Sequence, residues 1–163
     1  MSGGLYPLQF IEGINEDEEA TDNRFLEFRE YGAAIPYTPS LRYNLARIEI
    51  YGSSGEKTKP HKTFLLTDHN GAPSKTVVAD GRLVVTTEVS EQWLRVELNQ
   101  PIVVFERRKY WLTFPEHPLT FSIGYAKEGN ELTVAANPNG TWLTSDRKWR
   151  LMLRFFGRAL PVQ

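Results

Sequence analysis

The strongest fold signal in the chain is an alternation of apolar and polar residues within residues 92–114. One face of this segment carries Leu94, Val96 and Leu98, and the other carries Trp93, Arg95 and Glu97. A period of two residues is typical of a strand with one buried face. Asn99-Gln100-Pro101 interrupts the pattern, because proline has no amide hydrogen to donate within a sheet. A charged turn at residues 106–109 then leads into a second predicted strand, residues 110–114.

Comparable strand signals recur from residue 41 to the end of the chain. Predicted strands cover residues 46–51, 62–67, 75–79, 82–89, 119–125, 132–135 and 149–156. Clusters of Gly, Pro, Asn and Asp separate them, and we expect a turn at residues 68–74 and a hairpin turn at Asp80-Gly81. Short strands separated in this way, with no convincing crossover helix, are typical of an antiparallel sandwich or barrel. We therefore predict an all-β fold, an antiparallel β-sandwich.

The first 34 residues differ from the rest of the chain. Residues 12–22 (EGINEDEEATD) are acidic and contain few apolar side chains, which is typical of a solvated loop or mobile arm. Phe25, Phe28 and Tyr31 follow at a spacing compatible with a helix, but Phe10-Ile11 and Phe25-Leu26 could equally be short strands. The predicted organisation is an irregular acidic N-terminal arm at residues 1–34, followed by a β-sandwich domain at residues 35–163.

Composition narrows the class of protein. With 163 residues the chain is large enough for one domain with a sizeable core. Its 19 basic and 20 acidic residues give a net charge of -1, which argues against nucleic-acid binding and against attachment to a membrane through charge. The absence of cysteine excludes disulfides and thiolate metal sites. The first residues lack signal-peptide character and no apolar run has transmembrane length, so we expect a protein that is not exported by the general secretory route.

Several phrases of the sequence, taken in order, resemble bacterial and phage β-sandwich modules related to galactose-binding and carbohydrate-binding domains. The phrases are Ile35-Pro36-Tyr37-Thr38-Pro39, residues 45–51, residues 65–73 with their Asp-His-Asn-Gly-Ala-Pro turn, the Trp93 strand leading to Tyr110-Trp111-Leu112, and Phe156-Gly157. The resemblance covers roughly residues 35–157. It implies a sandwich of the jelly-roll type that acts as a binding module or a spacer domain rather than as an enzyme.

Three aromatic residues are candidates for a ligand-binding platform: Trp142, Trp93 and Tyr125. A glycan-binding module needs exposed flat rings with polar neighbours, and each of the three lies in a loop region, beside charged residues or at a strand end. The alternative is that these rings are part of the core, since each aromatic side chain buries a large area. Trp111 and Trp149 are assigned to the core or its edge.

Asp68, Asn70 and Asp80 are candidates for a structural calcium site, because Ca²⁺ takes carboxylate and carbonyl oxygens on tight turns. An Asx-type turn explains the same residues without a metal. We expect no other cofactor. The histidines show no metal-ligand spacing and are interpreted as surface residues: His61, His69 and His117. No nucleophile elbow or phosphate-binding loop is present, so we do not expect an enzyme.

Three of the predicted strands carry charged residues on the face opposite their apolar residues. These are Arg47, Glu49, Arg95, Glu97, Arg150 and Arg154. If the strands are neighbours, opposite charges form cross-strand pairs worth about 0.2–1 kcal/mol each on a solvated face. The alternative is a polar interface with another subunit.

Two hypotheses of function follow from the sequence. The first is a non-catalytic binding module that recognises carbohydrate or a surface. The second is a self-associating structural protein of a phage virion or other large complex, with a protein scaffold as partner and a homo-oligomeric state. Neither hypothesis involves nucleic acid or membrane.

Overall fold

The computed structural model describes residues 8–13, 32–52, 61–84, 92–115, 131–132, 135–137, 141–144, 149–150 and 152–161. Within these ranges the chain forms strands and no helix, and so nothing there could cross a membrane as a helix. The strands are β1 (Gln9–Gly13), β2 (Gly32–Tyr37), β3 (Tyr43–Gly52), β4 (His61–His69), β5 (Ala72–Val84), β6 (Gln92–Val104), β7 (Tyr110–Phe114), β8 (Glu131–Leu132), β9 (Ala135–Asn137), β10 (Leu143–Thr144), β11 (Trp149–Arg150) and β12 (Leu153–Ala159).

Ten of the described strands form one antiparallel sheet in the order β1-β12-β3-β6-β5-β4-β7-β2-β9-β10. Strands β8 and β11 pair separately. The predicted all-β, antiparallel class is therefore confirmed. In a flat sheet β2 and β12 would be about 29 Å apart, because neighbouring strands are about 4.8 Å apart. Yet the rings of Tyr37 on β2 and Phe155 on β12 stack with centroids 3.9 Å apart, so the sheet curls into a half-barrel.

The main core fills the inside of this curl. Leu94 and Val96 lie in it, as the alternation of β6 predicts, whereas Leu98 is half-buried and packs against it. The core also includes Ile35, Leu45, Ile48, Ile50, Leu65, Leu83, Val104, Leu112, Phe114 and Leu153. A smaller apolar cluster of Ala34, Leu66 and Trp111 alternates with core residues along β2, β4 and β7, and so it lies on the opposite face of the sheet.

Strand β1 is held to the β2–β3 region by side chains. The Tyr37 hydroxyl donates to Glu12 Oε2 at 2.7 Å. The Ser40 amide and hydroxyl donate to Glu12 Oε1 at 3.1 and 2.7 Å. The hydroxyls of Tyr37 and Tyr43 also bond to each other. Burial raises the pKa of both tyrosines above the ordinary value, and so both are neutral at physiological pH.

The predicted N-terminal arm is described only in part. Residues 9–13 are not irregular, because they form β1, which pairs with β12. Glu12, the first residue of the acidic run, is hydrogen-bonded rather than solvated. Residues 14–31 lie outside the described residues, and the division of the chain at residue 35 stays a prediction.

The hairpin turn predicted at Asp80-Gly81 is wrong. Both residues lie inside β5, and the chain reverses at Asn70-Gly71 instead, within the turn predicted at residues 68–74. Asn70 and Gly71 both have positive φ (53° and 85°), as a two-residue type I′ hairpin turn requires. Gly81 instead allows the close approach of β6, because a Cβ at this position would lie 2.3 Å from the carbonyl oxygen of Glu97 on β6.

The described part of the last strand is buried on both faces, contrary to the predicted alternation. Arg154, which was expected on the solvated charged face, is as buried as Leu153 and Phe155, and Met152, two positions earlier, is also buried. His61 is also buried rather than on the surface, beside Thr63 on β4. His61 Nε2 and Thr63 Oγ1 make no hydrogen bond to any described group.

Candidate functional site

A cleft of about 520 Å³ lies beside the turn that connects β6 to β7. This volume falls in the range of ligand-binding sites in proteins. Its lining comes from the ends of β4 and β6, from β5, from the turn and from the start of β7. The lining residues are Thr67, Asp68, Val78, Ile102, Val103, Phe105, Arg107, Arg108, Lys109 and Tyr110.

Hydrogen bonds donated by backbone amides fix the shape of the turn. The Phe105 amide donates to the Tyr110 hydroxyl at 3.1 Å, and the Arg108 amide donates to the Phe105 carbonyl at 3.3 Å. The Arg107 amide donates to the carbonyl of Pro39 at 3.2 Å, which connects the turn to the segment between β2 and β3. One wall of the cleft is therefore held in place before any ligand arrives.

Arg107 has a left-handed backbone, with φ of 66°. This conformation costs a residue with a side chain about 1–2 kcal/mol. Such residues persist where their surroundings fix them, and they cluster at ligand sites and switch regions. The bond to Pro39 is the contact that holds Arg107 here.

Two of the three cationic side chains of the turn lie over aromatic rings. The Arg108 guanidinium carbon is 4.4 Å from the centre of the Phe105 ring, and the Lys109 ammonium is 4.8 Å from the centre of the Trp111 ring. Contacts of this kind contribute about 0.5–1 kcal/mol at exposed sites. Among the lining residues Asp68 is the one carboxylate, set against three cations.

Asp68 is committed to bonds within the protein. The Trp111 indole Nε1 donates to Asp68 Oδ1 at 2.8 Å, and the Gly71 amide, three positions along in the hairpin turn, donates to Oδ2 at 3.2 Å. Asp80, the third residue of the predicted calcium site, lies on β5 opposite Phe64 of β4. Phe64 is four residues before Asp68 on the same strand, which is a distance of about 13 Å. Asp80 instead accepts a hydrogen bond from Asn99 Nδ2 at 2.9 Å.

The structure thus does not bring Asp68, Asn70 and Asp80 together. The described part of the chain contains no group of three His, Asp or Glu side chains that could hold a metal ion. Asn70 sits at the tip of the hairpin, and its amide contacts the ring of His69 at 3.4 Å.

Trp142 and Trp93, two of the predicted ligand-binding aromatics, are not neighbours either. Trp142 is half-buried and packs against the outer cluster that contains Trp111, which is fully buried as expected. Trp93 lies on β6, three strand positions from β7. The Arg154 guanidinium carbon is 3.6 Å from the centre of the Trp93 ring, so one face of that ring is already occupied. Tyr125 lies outside the described residues.

The charged face predicted from three strands exists, but its centre is buried. Strands β12, β3 and β6 are neighbours, as the prediction required. The Glu49 carboxylate lies 3.3 Å from Arg47 Nε, 3.9 Å from Arg95 Nε and 3.8 Å from Arg154 Nη1. Glu49 and Arg154 are each 7% exposed, which corrects the expected solvated face. Rings cover the guanidinium groups, Trp93 over Arg154 and Phe156 over Arg47.

Sequence reasoning missed the cleft, because residues 106–109 were interpreted only as a charged turn. A signal was present, since Arg107-Arg108-Lys109 lies between Phe105 and Tyr110. Comparison of the chain with protein-family models gives no match, and comparison with curated proteins gives none either. The all-β fold alone does not identify a family, so function has to be argued from the cleft itself.

Proposed function

We propose that this protein is a non-catalytic binding module that recognises carbohydrate in the cleft beside the β6–β7 turn. The observation that carries the proposal is a concave site that combines apolar and polar lining with a hydrogen-bonded wall. The proposal needs no cofactor.

The lining suits a ligand that is apolar on one side and polar at its rim, as a sugar ring is. Val78, Ile102 and Val103 supply apolar surface. Phe105 is 36% exposed at the edge of the cleft, with the Arg108 guanidinium over one face of its ring. Thr67 is fixed by a 2.6 Å hydrogen bond between its hydroxyl and that of Ser74. A wall that is already ordered loses little conformational entropy on binding, which favours affinity.

The proposal includes the jelly-roll type of β-sandwich predicted from the sequence. It is supported by the resemblance of residues 35–157 to carbohydrate-binding modules. It is also supported by the stacking of Tyr37 on Phe155, which joins two distant parts of the sheet across one core.

The test is binding to a panel of neutral and acidic oligosaccharides, followed by titration calorimetry with the best ligand. Phe105→Ala is expected to weaken binding about tenfold, which corresponds to about 1.4 kcal/mol. Phe10→Ala is the matched control, because Phe10 is 38% exposed but lies on β1. Trp142→Ala and Trp93→Ala test the aromatic platform predicted from the sequence. If no oligosaccharide binds, the proposed function is wrong.

A second candidate function, self-assembly within a phage virion or other large complex, is favoured by the edges of the sheet. The edge strands of the ten-stranded sheet are β1 and β10, and both regions expose apolar side chains. Leu8 and Phe10 are exposed at one edge, and Leu143 is 58% exposed at the other. Pairing of β1 of one copy with β10 of the next would be a head-to-tail contact, which builds rings or filaments.

Sedimentation velocity over a range of concentrations tests this candidate. Concentration-dependent association that Leu143→Lys abolishes would support it. A monomer at every concentration would exclude it.

A further inference from the structure

We infer that the cleft takes an anionic oligosaccharide, one whose sugars carry carboxylate or sulfate groups. This inference rests on the proposed binding function and specifies the ligand class of the same site.

The first argument is uncompensated charge. Arg107, Arg108 and Lys109 line the cleft at consecutive positions, and none of them forms an ion pair within the described part of the chain. Asp68 cannot neutralise them fully, because it is a single carboxylate set against three cations. A concave site whose lining carries a net positive charge attracts an anionic ligand.

The second argument is that the cations are already positioned. The Arg108 guanidinium and the Lys109 ammonium are held over the rings of Phe105 and Trp111. The backbone of Arg107 is fixed by its bond to Pro39. Guanidinium groups match the geometry of planar or tetrahedral oxyanions and bind them through paired N–H donors. Carboxylate and sulfate substituents on a sugar present such oxyanions.

The third argument favours a sugar polymer over a nucleic acid. A nucleic-acid-binding domain normally shows a basic stripe and a basic overall charge. Here the chain carries a net charge of -1, and the basic residues of the cleft occupy one short turn. The apolar lining from Val78, Ile102 and Val103 is the part of the site that an acidic sugar ring would contact with its C–H face.

The experiment compares three tetrasaccharides by titration calorimetry with the full chain. The probes are a heparin tetrasaccharide, tetragalacturonate and neutral cellotetraose, each measured at low and high salt. We expect one or both anionic probes to bind about tenfold or more tightly than cellotetraose, with an affinity that falls as salt rises. The heparin and galacturonate arms distinguish sulfate from carboxylate recognition.

Variants locate the interaction. Arg107→Gln and Lys109→Gln are each expected to weaken binding of the anionic probe about tenfold, because each removes a positive charge that strengthens the hydrogen bond to an anionic group. Arg107→Lys keeps the charge and should restore part of the loss. Lys62→Gln is the control: Lys62 is exposed on β4, six positions and about 20 Å from Asp68, and its loss should not change affinity. Thermal unfolding of each variant shows whether it folds, and Arg108→Gln replaces any variant that does not.

The outcomes separate this inference from the proposed function. Equal affinity for charged and neutral tetrasaccharides, unchanged by Arg107→Gln, would overturn the inference and leave the carbohydrate-binding function standing. Failure of all three tetrasaccharides and of the wider panel would overturn the proposed function as well. Binding of a single-stranded DNA decamer or of a polyglutamate peptide in place of every sugar would overturn the carbohydrate assignment.

Discussion

Replacing Glu12 with alanine tests how the curled sheet is held at its β1 edge. Glu12 is the acceptor for three donors: the Tyr37 hydroxyl, the Ser40 amide and the Ser40 hydroxyl. These bonds connect β1 to the end of β2 and to the segment that follows it. Among the described strands, the backbone of β1 pairs only with β12, so the backbone of β1 forms no ladder with β2 or β3.

The expected cost follows from these contacts. The bond from Tyr37 is partly buried and involves a carboxylate, for which about 1.5 kcal/mol is a reasonable net contribution. The two bonds from Ser40 are exposed and contribute about 0.5–1 kcal/mol each. Glu12→Ala should therefore lower the free energy of unfolding by about 3 kcal/mol and the melting temperature by about 6–12 °C. Glu12→Gln keeps an acceptor oxygen and should cost about 1 kcal/mol.

Urea denaturation of the single and double variants measures these values. Glu12→Ala, Tyr37→Phe and their combination form a double-mutant cycle, and the expected coupling energy is about 1–1.5 kcal/mol. Glu106→Ala is the matched control, since Glu106 is an exposed glutamate of the β6–β7 turn and should change stability by less than about 0.5 kcal/mol. A Glu12→Ala cost no larger than that of the control, or a coupling energy of zero, would refute the reasoning.

Three further predictions concern stability. Burial raises the pKa of Tyr37 and Tyr43 in the folded state, so these groups stabilise the fold fully below the unfolded pKa of about 10 and less at higher pH. The free energy of unfolding should therefore fall above pH 10 by about 1.4 kcal/mol per pH unit for each tyrosine. In urea titrations at several pH values, Tyr37→Phe should reduce that slope. Thr63→Val should stabilise the protein by about 1 kcal/mol in the same assay, because the buried Thr63 hydroxyl makes no hydrogen bond to a described group; a loss of stability would show that the hydroxyl has a partner. Gly81→Ala should destabilise by more than about 2 kcal/mol, because its Cβ would lie 2.3 Å from the Glu97 carbonyl oxygen, and a neutral effect would mean that β5 and β6 do not approach so closely.

The parts of the fold that follow from local patterns were predictable. Burial of Leu94 and Val96 follows from period-two alternation, which needs no knowledge of neighbouring strands. The reversal at Asn70-Gly71 follows from residues that accept positive φ. Asp80-Gly81 shows the limit of the same reasoning. Both residue types favour turns, yet here they lie within β5, where the close approach of β6 requires glycine at position 81.

Features that depend on distant contacts were not predictable. Arg154 looks like a solvent-facing residue in the sequence, and it is buried because Trp93, more than sixty positions earlier, lies against its guanidinium. Glu12 looks like part of a solvated acidic run, and only the curl of the sheet brings Tyr37 and Ser40 to it. The cleft depends on the strand order β6-β5-β4-β7, in which β5 and β4 lie between the two strands that the β6–β7 turn connects.

The most direct test of the central claim is an NMR titration that follows the indole N–H resonances of Trp111 and Trp93. Trp111 donates to Asp68 beside the cleft and lies under Lys109, whereas Trp93 lies on β6 against Arg154. Addition of the anionic tetrasaccharide should shift the Trp111 resonance progressively to saturation and leave Trp93 unchanged, with Trp93→Phe used for assignment. A shift at Trp93 with none at Trp111, or no shift at either, would contradict binding in the cleft.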